Sequence, residues 1–85
     1  MHIEATQTFI KLYKKLPNEL KQQTKKAIEL FQTNPNNPSL GYKKMAGQEN
    51  IYEIRISKGY RLTYQKLGDT AYLRKVGTHD LLRNP

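Results

Sequence analysis

Four basic side chains fall on strand-like segments in the second half of the chain: Lys44, Arg55, Arg61 and Arg74. Arginine presents a rigid fork of donors, stays charged throughout the physiological range, and matches phosphate and carboxylate geometry. Arg55 lies in IYEIRI and Arg61 in GYRLTYQ, where apolar and polar residues alternate with period two. Tyr52, Ile54 and Ile56 point one way, and Ile51, Glu53 and Arg55 the other. Tyr60, Leu62 and Tyr64 form a second apolar set, with Arg61, Thr63 and Gln65 opposite. Only Ser57-Lys58-Gly59 separates the two runs, so they pair as antiparallel neighbours and the guanidinium groups of Arg55 and Arg61 can converge on one anion. A single arginine on a strand reads as solvated or ion-paired. Lys44, Arg55, Arg61 and Arg74 together on an uncovered face read as an anion site, because like charges repel unless an anion joins them. Ala71 and Leu73 look like a core pair, which puts Arg74 on that face; Lys44 joins it if Met45 is core.

Other side chains could add chemistry. Glu53 reads as an ion-pair partner of Arg55 or as a general base, the former being the commoner fate. His79, in VGTHD, follows a strand-ending glycine and so sits at the rim of the same face, with Asp80 beside it. A lone histidine is more often structural or exposed than catalytic. Tyr42 and Tyr72 read first as core and second as stacking surfaces for bases. The two histidines are far apart and no carboxylates cluster, so the sequence offers no metal site and calls for no cofactor. It also has no phosphate-binding loop, no Gly-rich nucleotide fingerprint, and no Ser or Cys nucleophile near a histidine.

The elements that hold these residues can be read from the whole chain. Its 85 residues suit one domain spanning 1–85. Fifteen Lys and Arg against seven Asp and Glu give a net charge of +8, which suits a polyanionic partner. The absence of cysteine excludes a disulfide framework. No segment reads as a membrane span or a signal peptide. The expectation is a soluble cytoplasmic protein. HIEA reads as a short opening strand, and Thr6 or Thr8 as a helix cap. Phe9, Leu12, Tyr13 and Leu16 then repeat at helical spacing. Pro17 suits the first turn of a second helix, whose stripe is Leu20, Thr24, Ala27, Ile28 and Phe31. Asn34-Pro35 ends it. GYKKMAG reads as a short strand, followed by Ile51–Ile56, Tyr60–Lys66 and Ala71–Val76. The expected fold is α+β, with the opening strand and helical hairpin packed on one face of a mainly antiparallel sheet.

The run KKMAGQENIYEIRISKGYRLTYQ, followed by YLRKVGTHD, resembles the RelE-type toxins of bacterial toxin–antitoxin pairs, in the RelE/ParE superfamily. The likeness covers nearly the whole chain, and YRLTY and VGTHD are its most specific parts. It implies a ribosome-dependent, metal-independent endoribonuclease that cleaves mRNA by attack of a 2′-hydroxyl on the neighbouring phosphate. Arg61 matches the family's arginine in the YRL strand, Arg55 matches a strand lysine or arginine, and His79 stands where members carry arginine or histidine. The catalytic set implied is Arg61, His79, Arg55 and Glu53, with Glu53 or Lys44 as the base; Lys43, Lys44, Arg74 and Lys75 would bind RNA. Several members place a tyrosine near the C-terminus, whereas this chain has no aromatic after Tyr72. The resemblance also implies partners: the ribosome, mRNA, and an antitoxin forming a hetero-oligomer with the toxin. The related ParE-type branch shares the fold, attacks DNA gyrase and lacks the nuclease residues. The pairing of Arg61 with His79 favours the RNA-cutting branch.

Overall fold

Thr6 begins the first helix as anticipated: its hydroxyl oxygen accepts from the Phe9 N–H at 3.2 Å and satisfies a donor that has no partner within the helix. The same hydroxyl donates to the Leu73 carbonyl at 2.7 Å, pinning the start of the helix to a strand 67 residues away in sequence. The structure is a computed structural model; it describes every residue except Ala46, Gln48 and Pro85, and does not describe the side chains of His79 and Leu82. Strand β1 is His2–Ala5, helix α1 is Gln7–Lys14 and helix α2 is Asn18–Thr33. A 3-10 turn over Pro38–Leu40 leads to β2 (Lys43–Lys44), β3 (Ile51–Ser57), β4 (Tyr60–Leu67) and β5 (Thr70–Gly77), and a second 3-10 turn follows over His79–Arg83. Pro17 sits at the N-cap of α2, just before the first turn in which it was expected. Among the described residues, the strand expected across Gly41–Gly47 is confined to Lys43–Lys44; Ala46 lies outside them. No helix of the described residues is long and apolar enough to cross a membrane.

The sheet order is β1-β5-β4-β3-β2. The three long strands form the expected antiparallel meander, and β1 joins β5 in parallel. Gly68, at φ +60°, opens the tight turn closed by the Leu67–Thr70 pair, a conformation that a side chain would resist. Both helices pack on one sheet face, α1 over β5 and α2 over β3. Phe9, Ala27 and Phe31 meet Leu40, Ile54, Leu62, Tyr64, Ala71, Leu73 and Val76 there. Phe31 and Tyr64, both essentially inaccessible, hold their ring centroids 4.6 Å apart at the centre of this core. Tyr64 stacks on Tyr52, which stacks on Tyr42 at the sheet margin. Burial, and then the nearby Tyr42 and Tyr52, push the Tyr64 hydroxyl well above its ordinary pKa. Tyr60, expected in the core set, falls outside the core cluster because the pairing shifts between Arg55 and Ser57.

One irregularity determines which residues face away from the helices. Thr63 pairs with Lys75, and Tyr64 pairs with Leu73, leaving Arg74 as an extra residue in β5. This bulge lets Leu73 and Val76, three positions apart, both enter the core. Arg74 and Lys75 lie between them on the other side.

Candidate functional site

The pairings place three rows of residues across the face opposite the helices. The first contains Arg55, Arg61 and Gly77. The second contains Lys43, Glu53, Thr63 and Lys75. The third contains Ile51, Gln65, Tyr72 and Glu4. Successive rows are two strand residues apart, roughly 6.6 Å.

Arg55 and Arg61 are direct cross-strand partners, as the alternation predicted. Their guanidinium groups nevertheless engage different neighbours. Arg61 Nη1 donates to the carbonyls of Ser57 at 2.9 Å and Tyr60 at 3.0 Å, bracing the turn that joins the two strands. Arg55 lies along the backbone of Gly41, where a β-carbon would come within 3.6 Å of its Cβ and Nε. It also lines a groove of about 280 Å³ with Lys26, Ala27, Leu30 and Leu40. Register unites the two arginines, while hydrogen bonding and packing hold their side chains on separate backbone segments.

The second row is less open than the sequence suggested. Thr63 is fully buried and Glu53 is only 8% exposed. The 3-10 turn His79–Arg83 folds back against β4 and β5. Leu81 packs where a β-carbon on Gly77 would stand, 3.6 Å away, and Lys75 Nζ donates to the Asn84 carbonyl at 2.6 Å. Glu53 Oε2 is buried without a hydrogen-bond partner among the described residues. A buried polar oxygen left without a donor costs about 1–3 kcal/mol of desolvation. The Arg55–Glu53 ion pair considered from sequence does not appear among the described residues; the N-terminal ammonium stands 4.0 Å from the Asp69 carboxylate.

One parity assignment needs correction. Lys44 pairs with Tyr52 and falls on the helix-facing side, at the exposed sheet margin. Lys43 pairs with Glu53 and takes the position expected for Lys44. With a strand only two residues long, apolar alternation carries too little information to fix a face. Arg74 is on the expected side of β5, but through the bulge and not through alternation; Lys75 is the residue in register with Thr63. Arg74 and Lys75 also line a shallow cavity of about 150 Å³ with Thr6 and Thr8. The signal for this bulge was present in the sequence: apolar Leu73 and Val76 break the period of two. His79 opens the 3-10 turn two residues beyond Gly77, the partner of Arg61; its side chain lies outside the described residues. Tyr42 and Tyr72, read first as core, are 47% and 36% exposed.

Among the described residues, no three His, Cys, Asp or Glu side chains gather to hold a metal ion. The chemical resources of the face are a cationic row, a buried carboxylate one row away, and a histidine-bearing turn at its margin.

Comparison with known proteins gives concordant results. The family model described as ParE-like toxin domain matches residues 18–80. No curated protein matches the chain. Among solved structures, the RelB–RelE antitoxin–toxin complex from Methanococcus jannaschii matches at 29% identity and a TM-score of 0.78, over 95% of each chain. The intact E. coli RelBE toxin–antitoxin complex matches at 25% identity and a TM-score of 0.72, over 91% of this chain and 94% of that one. E. coli YafQ shares the fold, at 18% identity and a TM-score of 0.76, over 94% of each chain.

Proposed function

The chain belongs to the ParE-like toxin domain family, and from that premise we propose that it is the toxin of a toxin–antitoxin pair and cleaves mRNA on the ribosome. The observation that carries this reading is the register of the face: paired Arg55 and Arg61, with Glu53 Oε2, buried and without a partner among the described residues, one row away. Structural likeness to the RelE chains of two RelB–RelE complexes supports the same branch.

The reaction assigns one task to each group. Glu53 accepts the proton of a 2′-hydroxyl, whose oxygen then bonds to the adjacent phosphorus. Arg61 and Arg55 stabilise the charge that accumulates on the phosphoryl oxygens, which arginine does without titrating. The P–O5′ bond breaks, and His79 supplies the proton taken up by the leaving 5′-oxygen. The products are a 2′,3′-cyclic phosphate and a 5′-hydroxyl end. Glu53 is a better candidate base than Lys44, which lies on the other side of the sheet. Lys43, Lys75 and Arg74 bind the RNA backbone around this centre. The ribosome holds the message in the reactive geometry and so supplies part of the rate. A cognate antitoxin binds the toxin and silences it, in keeping with the antitoxin-bound neighbours.

The family description also names the ParE branch, whose toxins act on gyrase. Mapping of transcript ends after induced expression separates the readings. Cuts inside reading frames that require active translation are expected. Intact transcripts accompanied by DNA damage would overturn the ribonuclease reading in favour of gyrase, and intact transcripts with no toxicity would leave only a binding module.

A further inference from the structure

The third row of the sheet face differs in chemistry from the two beside it. Tyr72 and Gln65 are cross-strand partners on β5 and β4; Ile51 continues the row on β3 and Glu4 on β1. Ile51 is buried although it lies outside the main core cluster, Gln65 is half-buried, and Tyr72 and Glu4 are exposed. A single exposed tyrosine is ordinary on a protein surface. Its company here is distinctive: an aromatic ring beside an amide on the same face as the cationic row, with a carboxylate on the far side. The Tyr72 ring stacks on no other ring among the described residues, unlike that of Tyr42, which is stacked on Tyr52.

We infer that Tyr72, Gln65 and Glu4 form a nucleobase subsite that takes an amino-bearing base, adenine foremost, and biases where the RNA is cut. The inference rests on the ribonuclease reading for its role in cleavage, though not for the binding itself. Gln65 lies four residues along β4 from Arg61, roughly 13 Å, a distance that an extended RNA strand covers in about two nucleotides. A phosphate held at the arginine row therefore leaves a neighbouring base over the third row.

The charges along the face fix the orientation. Cations at the first row attract phosphate, while Glu4 at the far end repels it, so that end receives a base and not the backbone. Tyrosine then supplies a stacking surface, as single-stranded RNA sites do for splayed bases. Glutamine pairs bidentately with the edge of adenine, and a carboxylate accepts from an exocyclic amino group. Uracil, with a carbonyl where adenine has its amino group, gives Glu4 no exocyclic amino donor and leaves it only the ring N–H between two carbonyls.

The test uses the intact chain without ribosomes and two probes, a short oligoadenylate and a short oligouridylate, followed by fluorescence anisotropy. Oligoadenylate is expected to bind more tightly. Tyr72→Ala should weaken that binding about tenfold or more, with Tyr72→Phe retaining it, and Gln65→Leu should narrow the difference between the probes. Equal binding of the two probes, no binding of either, or undiminished oligoadenylate binding by Tyr72→Ala overturns the inference. Transcript mapping adds an independent arm. Tyr72-dependent oligoadenylate binding without cleavage by the wild-type chain supports the subsite and removes the ribonuclease reading. Cleavage with Tyr72-independent binding and an unchanged base preference does the reverse.

Discussion

Arg55 and Arg61 stand directly opposite each other on β3 and β4, two cations in one register pair. Like charges so placed destabilise a sheet by about 0.2–1 kcal/mol. Arg55→Thr should therefore raise the urea midpoint slightly while slowing cleavage. A lower midpoint would mean that packing of Arg55 on Gly41 outweighs the repulsion.

Arg61 is predicted to behave differently, because its guanidinium braces the turn through Ser57 and Tyr60. Arg61→Ala should cost about 1 kcal/mol of stability and lower the cleavage rate by roughly 10²–10³-fold. Arg61→Lys should restore the charge without the fork and recover only part of the rate. Paired denaturation and single-turnover measurements check both effects; full activity in Arg61→Ala would remove it from the catalytic set.

Glu53 offers a test in which stability and activity move apart. Glu53→Gln keeps the shape and removes a buried carboxylate, one of whose oxygens has no partner among the described residues. Thermal stability should hold or rise, while the single-turnover rate falls by about 10²–10⁴-fold, the usual contribution of a general base. A rate equal to wild type would exclude Glu53 as the base.

His79→Gln should slow the chemical step while leaving affinity for the ribosome intact. Binding by sedimentation and single-turnover cleavage of bound message separate these quantities. Lost affinity with an unchanged bound-state rate would make His79 an anchor.

Alkaline titration should reveal the buried tyrosine column. Burial raises the Tyr64 hydroxyl above its ordinary pKa near 10, and burial followed by Tyr52 raises Tyr42. The folded state holds these protons more tightly than the unfolded chain. Their contribution is thus fully present below about pH 10 and falls as pH rises above it. Tyr64→Phe should flatten this alkaline loss in denaturant titrations at successive pH values; an unchanged slope would assign the loss to other groups.

Much of this architecture was written in local pattern. Period-two alternation placed Arg55, Arg61, Ile54 and Leu62 on their observed faces, since a strand half-covered by helices needs that order. Thr6, Pro17 and Asn34 marked helix boundaries through capping and steric chemistry. Other features depended on tertiary context. The two residues of β2 were too few to reveal that Lys43, and not Lys44, faces Glu53. On the polar face, a turn that returns from beyond the last strand lies against β4, which carries the buried Thr63, and β5. Polar residues exposed on a strand and polar residues roofed by a distant segment have the same local pattern.

The parallel pairing of β1 with β5 has a consequence for the timing of synthesis. Strand β1, at the edge of the sheet, finds its neighbour among the described residues in β5, and the Thr6 hydroxyl waits for the Leu73 carbonyl. A chain emerging from the ribosome can form its helices and the β3–β4 hairpin early, because those contacts are local. It cannot close the sheet or bury α1 against β5 until β5 has been released. The face carrying Arg61 and Lys75 is completed by the same final strand. Translation that stops before β5 is expected to yield no folded toxin, so the face acquires its Arg61–Gly77 and Thr63–Lys75 pairs only after that strand has been made.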